Sequence, residues 1–286
     1  MMSSLPDTLR APAMAPLDEL RSLLRSALDR QACHDGTNPV AAFIAIHPVL
    51  ISFLREKAPG IESVIHLAQE LRVLAGLWPG IGSTVDAETI RCLITNVRPD
   101  ARGSRVTVAT TVHAPDGAVT MMAISTILLG GVDPASLHPN LSVSPTAPVI
   151  PRERVDAVPL TGIARVSSRF STHYALVSND DNPIHVDPEA ARAAGFGRAI
   201  AHGMSIVALA LEIAADELTG GDVSRITAFG VRFSAPVLCD SDLVVEVTAT
   251  QSPTIHALKA RTATGLALKS AWIEISAAAG ETEALA

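Results

Sequence analysis

The side chains that could perform chemistry in this sequence lie close together, in residues 174–204. That stretch reads YALVSNDDNPIHVD, passes through AGF and ends in IAHGM. Asp180 precedes His185 by five residues, and the Asn-Pro turn between them could fold back and bring both side chains onto one water. A carboxylate beside an imidazole suits proton transfer to or from a bound substrate. Asn182 could orient that carboxylate or the water.

The stretch ends where a helix is predicted to begin. Residues 204–218 are apolar nearly all round, apart from a narrow stripe of Ser205, Glu212 and Asp216, so other structure must surround this helix. The N–H of Gly203 would be unpaired at the N-terminus, where the helix dipole favours negative charge. We therefore expect Gly203 to donate to an oxygen on which negative charge develops.

Three other interpretations of the stretch stay open. Asp180 and Asn182 match the start of an EF-hand calcium loop, although the later glycine and glutamate of that loop are missing. Asp180, His185 and Asp187 could ligate a metal, although they are too few to close a coordination sphere. The third interpretation is a solvated loop, because Asn-Pro and Asp-Asn form turns and Asp187-Pro188 could begin a helix.

Helix and strand patterns recur in the two halves of the chain. The first half predicts helices over residues 17–30 and 40–56, with Pro48 as a kink or break, and strands over 63–73, 84–97, 105–113 and 119–129. The second half predicts helices over 170–178 and 204–218, and strands over 223–235, 243–249, 254–263 and 267–276. Residues 131–162 contain six prolines and predict a linker between domains at 1–130 and 163–286.

This element order predicts the fold class. A long apolar helix surrounded by an antiparallel sheet is the hot-dog arrangement, and two such units in one chain make a double hot dog of the α+β class. Aromatic residues form only 3% of the chain, so both cores must be built mainly from aliphatic side chains.

The composition argues against several classes of function. The formal net charge is −7, from 22 Lys and Arg against 29 Asp and Glu, which disfavours nucleic acid or an anionic membrane surface as the partner. The N-terminus lacks the apolar segment of a secretory signal, and no apolar run reaches the roughly 18 residues of a membrane span. Cys33, Cys92 and Cys239 have no disulfide or zinc spacing, so a reducing, cytoplasmic location is expected.

Residues 174–204 closely resemble the signature of the MaoC-like, (R)-specific enoyl-CoA hydratases of the hydratase-2 group. The pattern of that group is Y-A-x-x-S-G-D-x-N-P-I-H-x-D, followed by A-G-F and by I-x-H-G-M. The resemblance implies that Asp180 and His185 are the catalytic pair. It also implies that Asn182 supports them and that the N–H of Gly203 is the oxyanion donor.

Within residues 174–204, the sequence departs from the pattern at one place. The glycine expected before Asp180 is Asn179, which tolerates the left-handed backbone conformation better than most residues. The first half resembles the degenerate N-terminal repeat of double-hot-dog members. Val40 there occupies the place of a histidine five residues after Asp35, so this half is predicted to be catalytically inactive and to make room for a longer acyl chain. The remaining histidines, including His47 and His66, are interpreted as structural or surface residues.

The implied activity is the reversible syn hydration of a trans-2-enoyl thioester to an (R)-3-hydroxyacyl thioester. No metal or redox cofactor is expected, because the thioester itself makes C2 acidic, and coenzyme A or an acyl-carrier protein would be part of the substrate. Arg198 and Arg232 could bind coenzyme A phosphates, and Tyr174 and Met204 are further candidate substrate contacts. A hot-dog thioesterase and a non-catalytic acyl-thioester-binding subunit are the alternatives, and a homodimer is possible.

Overall fold

The computed structural model describes residues 17–32, 34, 36–74, 89–138 and 157–276. Cys33, Asp35, most of the predicted linker and the start of the strand predicted over 84–97 lie outside these ranges. Cys92 and Cys239 are free thiols. No helix within the described ranges combines the length and the apolarity that a bilayer span requires.

Each repeat contains helices followed by four strands, and the second repeat begins with one additional strand. The first repeat contains α1 (Leu17–Ala27), α2 (Val40–Lys57), β1 (Ser63–Val73), β2 (Ile90–Asp100), β3 (Gly103–His113) and β4 (Val119–Gly130). The second contains β5 (Leu160–Val166), α3 (Ser168–Ser178), α4 (Pro188–Ala193), α5 (Gly203–Thr219), β6 (Ile226–Phe233), β7 (Ser241–Ala249), β8 (Ile255–Thr262) and β9 (Gly265–Ile275). Short 3₁₀ turns occupy Pro134–Ser136, Pro183–His185 and Val223–Arg225.

The strands form one continuous antiparallel sheet that joins the two repeats. Its order is β2-β3-β4-β1-β6-β9-β8-β7-β5, so each strand of the first repeat has a counterpart at the mirrored position in the second. The repeats meet at β1 and β6, where Ala68 pairs with Arg232 and Arg72 pairs with Ala228. The predicted double hot dog is therefore confirmed as an α+β fold with two similar halves.

Helix α5 is the centre of the second repeat. Every residue from Met204 to Ala215 is buried, because the sheet and the neighbouring helices surround it. The helix ends at Gly220, which adopts the left-handed conformation (φ 66°) that glycine reaches without steric cost. The position of this helix matters for function because its first residue is Gly203.

The polar stripe of α5 lies against basic residues of α1. The Glu212 carboxylate is fully buried and accepts a hydrogen bond of 3.0 Å from the Asn38 amide. Arg25 lies 3.5 Å from Glu212 and 2.8 Å from Asp216, and Arg21 Nε lies 3.6 Å from Glu212. Burial raises the pKa of Glu212, whereas Asn38 and the two arginines oppose that shift. The stripe therefore fixes α1 onto the central helix.

Three predicted features differ from the structure. Pro48 does not break the predicted helix, since α2 runs without interruption from Val40 to Lys57. The segment predicted as a strand from residue 223 begins instead as a 3₁₀ turn, and β6 starts at Ile226. Strand β5 begins at Leu160, inside the predicted linker 131–162. Its inward residues include Gly162 and Ala164, which are too small to give a visible alternation of hydrophobicity.

Candidate active site

The loop after α3 is shaped by two polar side chains. Asn179 ends the helix in the left-handed conformation, with φ 53° and ψ 33°, so the expectation that asparagine tolerates this position is confirmed. Asn182 then caps the 3₁₀ turn through its side-chain oxygen, which accepts from the Ile184 amide at 3.4 Å. The backbone N–H of Asn182 donates to Asp180 Oδ1, also at 3.4 Å. The backbone of Asn182, and not its side chain, therefore contacts the carboxylate.

His185 is held in one tautomer by the backbone. Its Nδ1 lies 2.9 Å from the carbonyl oxygen of Ile200, and since a carbonyl only accepts, Nδ1 carries the hydrogen. Burial lowers the pKa of His185, opposed by that hydrogen bond and by the charge of Asp180. The ring is therefore neutral near pH 7, and Nε2 has a free lone pair.

His202 connects the loop to the start of α5. It is 2% exposed, and its ring stacks on that of His185 with centroids 3.8 Å apart. Its Nε2–H donates to the backbone carbonyl of Asp180 at 3.0 Å, which holds the Asp180 loop against the helix. Burial, assisted by the neighbouring His185, lowers the pKa of His202 to about 4. The Tyr174 ring packs behind it, with centroids 5.1 Å apart.

The structure brings Asp180, His185 and His202 together. One carboxylate oxygen and one ring nitrogen of each histidine all lie within 4.8 Å of one another. These donor types could hold a metal ion, although three ligands do not by themselves complete a coordination sphere. Asp187, the third ligand of the predicted metal site, instead caps α4 through the Glu189 amide at 2.8 Å. The arrangement is better suited to holding a water between Asp180 and His185.

Gly203 is the first residue of α5, and in the part of the chain that the structure describes its N–H has no hydrogen-bond acceptor. A β-carbon at this position would lie 2.8 Å from the Phe233 ring. Glycine is therefore required here by the packing of Phe233 as well as by any substrate that approaches the amide.

The other predicted substrate contacts are dispersed. Met204 is 4% exposed and faces the core from α5. Tyr174 is 2% exposed, burial raises the pKa of its phenol, and it meets the cluster only by packing on His202. Arg198 is exposed and acts electrostatically on Cys239 and Asp240. Arg232 is exposed on β6 and acts on Glu70. Arg198 and Arg232 therefore act on different sets of residues.

Comparison with known proteins identifies the family of the chain. The sequence model described as "MaoC like domain" matches residues 147–269. The (R)-specific enoyl-CoA hydratase of Aeromonas caviae is 33% identical over 91 residues, which are 30% of this chain and 67% of that protein. The chain belongs to the MaoC-like family. A MaoC-like dehydratase from Phytophthora capsici shares the fold of this MaoC-like chain, with a TM-score of 0.64 and 17% identity over 92% of this chain and 94% of that one.

A further relative shows the extent of the match. The 3-hydroxyacyl-thioester dehydratase X of Mycobacterium tuberculosis is 32% identical over 156 residues. That alignment covers 54% of this chain and 51% of the relative, so the MaoC-like chain spans about half the length of this relative.

The N-terminal repeat of this MaoC-like chain contributes two histidines that the sequence analysis assigned to structural or surface roles. The His66 ring packs between Phe43 and Phe233, with centroids 5.4 Å and 5.0 Å away. Burial, assisted by His47, lowers the pKa of His66 to about 4. Burial also lowers the pKa of His47, and the charge of Asp180 opposes this shift at both rings. Both histidines therefore lie within electrostatic reach of Asp180, a proximity that nothing in the local sequence indicates.

Proposed function

We propose that this chain is a hydro-lyase that adds water reversibly to trans-2-enoyl thioesters and forms (R)-3-hydroxyacyl thioesters. The observation that carries the proposal is the neutral His185, held through Nδ1–H by a backbone carbonyl and with a ring nitrogen within 4.8 Å of an Asp180 carboxylate oxygen. The family membership and the names of the relatives, which are hydratases and dehydratases, support the same reaction class.

In the proposed hydration, one water lies between Asp180 and His185. The water oxygen forms the bond to C3 while His185 Nε2 takes one of its protons, and the double-bond electrons move toward the thioester carbonyl. The resulting imidazolium then gives that proton to C2 from the same face, which completes a syn addition and restores the neutral ring. Asp180 accepts a hydrogen bond from the other water hydrogen, which stays on the oxygen as the hydroxyl hydrogen of the product, and its charge attracts the transient imidazolium.

The enolate formed between these two steps needs a hydrogen-bond donor on its oxygen. The Gly203 N–H supplies one at the N-terminus of α5, where the helix dipole favours negative charge. Gly203 follows His202, and His202 holds the Asp180 loop. The donor and the acid–base pair are therefore fixed relative to one another by a single buried side chain.

The test is the loss of enoyl absorbance from crotonyl-CoA in the wild type and in two variants. Asp180→Asn and His185→Gln are each expected to lower kcat by about 10²–10⁴ with an unchanged melting temperature. Asp181→Asn and His173→Gln replace exposed residues of the same types and should retain wild-type activity. Wild-type rates in both Asp180→Asn and His185→Gln would show that this pair does not perform the reaction.

The same assay separates the alternatives. A thioesterase would release thiol from an acyl-CoA, whereas a hydratase removes enoyl absorbance without thiol release. A binding subunit would retain acyl-CoA without converting it. Chiral analysis of the 3-hydroxyacyl product tests the proposed R configuration.

A further inference from the structure

A groove of about 470 Å³ crosses the solvent-facing side of the sheet where the two repeats meet. Four basic residues line it: Arg98, Arg105, Arg232 and Lys269. None of the described residues that line it is acidic. This concentration of positive charge is unexpected on a chain whose formal net charge is −7.

The four cations form two cross-strand pairs of like charge. Arg98 lies directly opposite Arg105 on β2 and β3, and Arg232 lies directly opposite Lys269 on β6 and β9. Like charges at such positions repel each other and destabilise a sheet. A bound anion would remove this repulsion.

The protein compensates only part of this charge. Arg105 forms an ion pair of 2.8 Å with Asp100, and Arg232 acts on Glu70. Arg98 and Lys269 have no hydrogen bond or ion pair from their side chains to any part of the chain that the structure describes. One cation in each pair is therefore available to an anion from outside.

The groove adjoins the proposed reaction centre. Phe233 lines the groove, and its ring also packs against Gly203 at the start of α5. The sheet is irregular here, since the register shifts between His66 and Ala68 on β1 and between Gly230 and Arg232 on β6. Phe233 therefore contacts both the start of α5 and the groove, and this residue links the two places.

We propose that this groove binds the phosphates of the nucleotide part of coenzyme A, an inference that rests on the proposed function. Phosphate oxygens accept charge-assisted hydrogen bonds from arginine and lysine, and the volume matches that of small-molecule sites. The groove would then give acyl-CoA contacts that an acyl-pantetheine lacks, and it contains three basic residues, Arg98, Arg105 and Lys269, that the sequence did not indicate.

The test compares crotonyl-CoA with crotonyl-pantetheine, which keeps the thioester and lacks the nucleotide. In the double variant Arg98→Ala with Lys269→Ala, KM for crotonyl-CoA should rise about 10-fold, with kcat almost unchanged. KM for crotonyl-pantetheine should stay the same. Arg55→Ala removes an exposed positive charge of α2, outside the groove, and should alter neither KM.

Equal effects on both substrates, or no effect on crotonyl-CoA, would overturn the proposal. So would a variant that loses activity only with crotonyl-acyl-carrier protein. A second measurement separates this inference from the proposed function. If the wild type converts neither substrate, titration with 3′,5′-ADP still tests the groove. Binding by the wild type that is weaker in the double variant would support the proposed phosphate site. The absence of binding by the wild type would overturn the proposed site.

Discussion

Replacement of Gly203 by alanine would place a methyl group against the Phe233 ring. Its β-carbon would lie 2.8 Å from Phe233 Cε1 and 3.1 Å from Cδ1, whereas carbon atoms pack at about 3.5–4.0 Å. The ring cannot withdraw freely, because His66 packs on it with centroids 5.0 Å apart. Overpacking of this kind costs about 1–3 kcal/mol, and the better helix propensity of alanine offsets at most about 1 kcal/mol. We expect a net loss of about 1–2 kcal/mol.

The variant keeps the backbone N–H, so it tests the position of the donor and not its presence. A chain of roughly this size loses about 2–4 °C in Tm per kcal/mol, which predicts a fall of about 2–8 °C in a thermal melt. If the start of α5 moves, kcat for crotonyl-CoA should fall about 10–100-fold.

Two further variants make this prediction decisive. Phe233→Leu in the Gly203→Ala background should recover stability, because it removes the collision. Gly197→Ala is the matched control, since a β-carbon there meets no atom within 4 Å. A Gly203→Ala protein that melts and reacts like the wild type, or one that Phe233→Leu fails to stabilise, would refute the steric reasoning.

Three other predictions concern stability. Glu212→Ala leaves two buried arginines without their carboxylate and should cost about 3–5 kcal/mol in urea unfolding. Asn179→Ala should cost about 1 kcal/mol, because alanine lacks the tolerance of asparagine for a φ of 53°, whereas Asn179→Gly should be nearly neutral. The folded-state pKa of His66, about 4, lies below the unfolded value near 6.5, so the unfolded chain takes up the proton first. The stability contributed by the neutral ring is complete above pH 6.5 and is lost as the pH falls to about 4, and His66→Gln should show a shallower dependence.

Each of these three predictions can be contradicted by a specific result. A mild effect of Glu212→Ala would show that solvent reaches the arginines. Equal effects of alanine and glycine at position 179 would remove the conformational explanation. An unchanged pH dependence in His66→Gln would assign the loss of stability below pH 6.5 to other groups.

The sequence predicted those parts of the site that depend on local geometry. Asn179, Asp180 and His185 lie within one short loop, where a left-handed residue and an Asn-Pro turn determine the path of the backbone. The start of α5 is equally clear from the sequence, because a long and almost uninterrupted apolar run begins directly after Gly203.

The parts that the sequence did not predict depend on contacts between distant segments. His47 on α2 and His66 on β1 belong to the first repeat and Asp180 to the second, so their proximity depends on how the repeats pack, which is not encoded near either histidine. Similarly, the basic groove exists because Arg98 and Arg105 lie on strands of one repeat, and Arg232 and Lys269 on strands of the other. Of these four residues, the sequence indicated only Arg232 as a candidate phosphate contact. The other three could not be identified, because a basic residue on a predicted strand gives no sign of which residues will lie beside it.

The pairing of β1 with β6 also has a consequence for how the polypeptide reaches its native state. Ala68 and Arg232 are partners although most of the chain lies between them, so closing this junction carries a large entropic cost and should occur late in folding. Until then, both strands present unpaired backbone groups, which are templates for pairing with other chains. A fragment that contains only one half would keep such an open edge permanently. Separate expression of the halves should therefore give aggregates, whereas co-expression could rebuild the junction from two pieces.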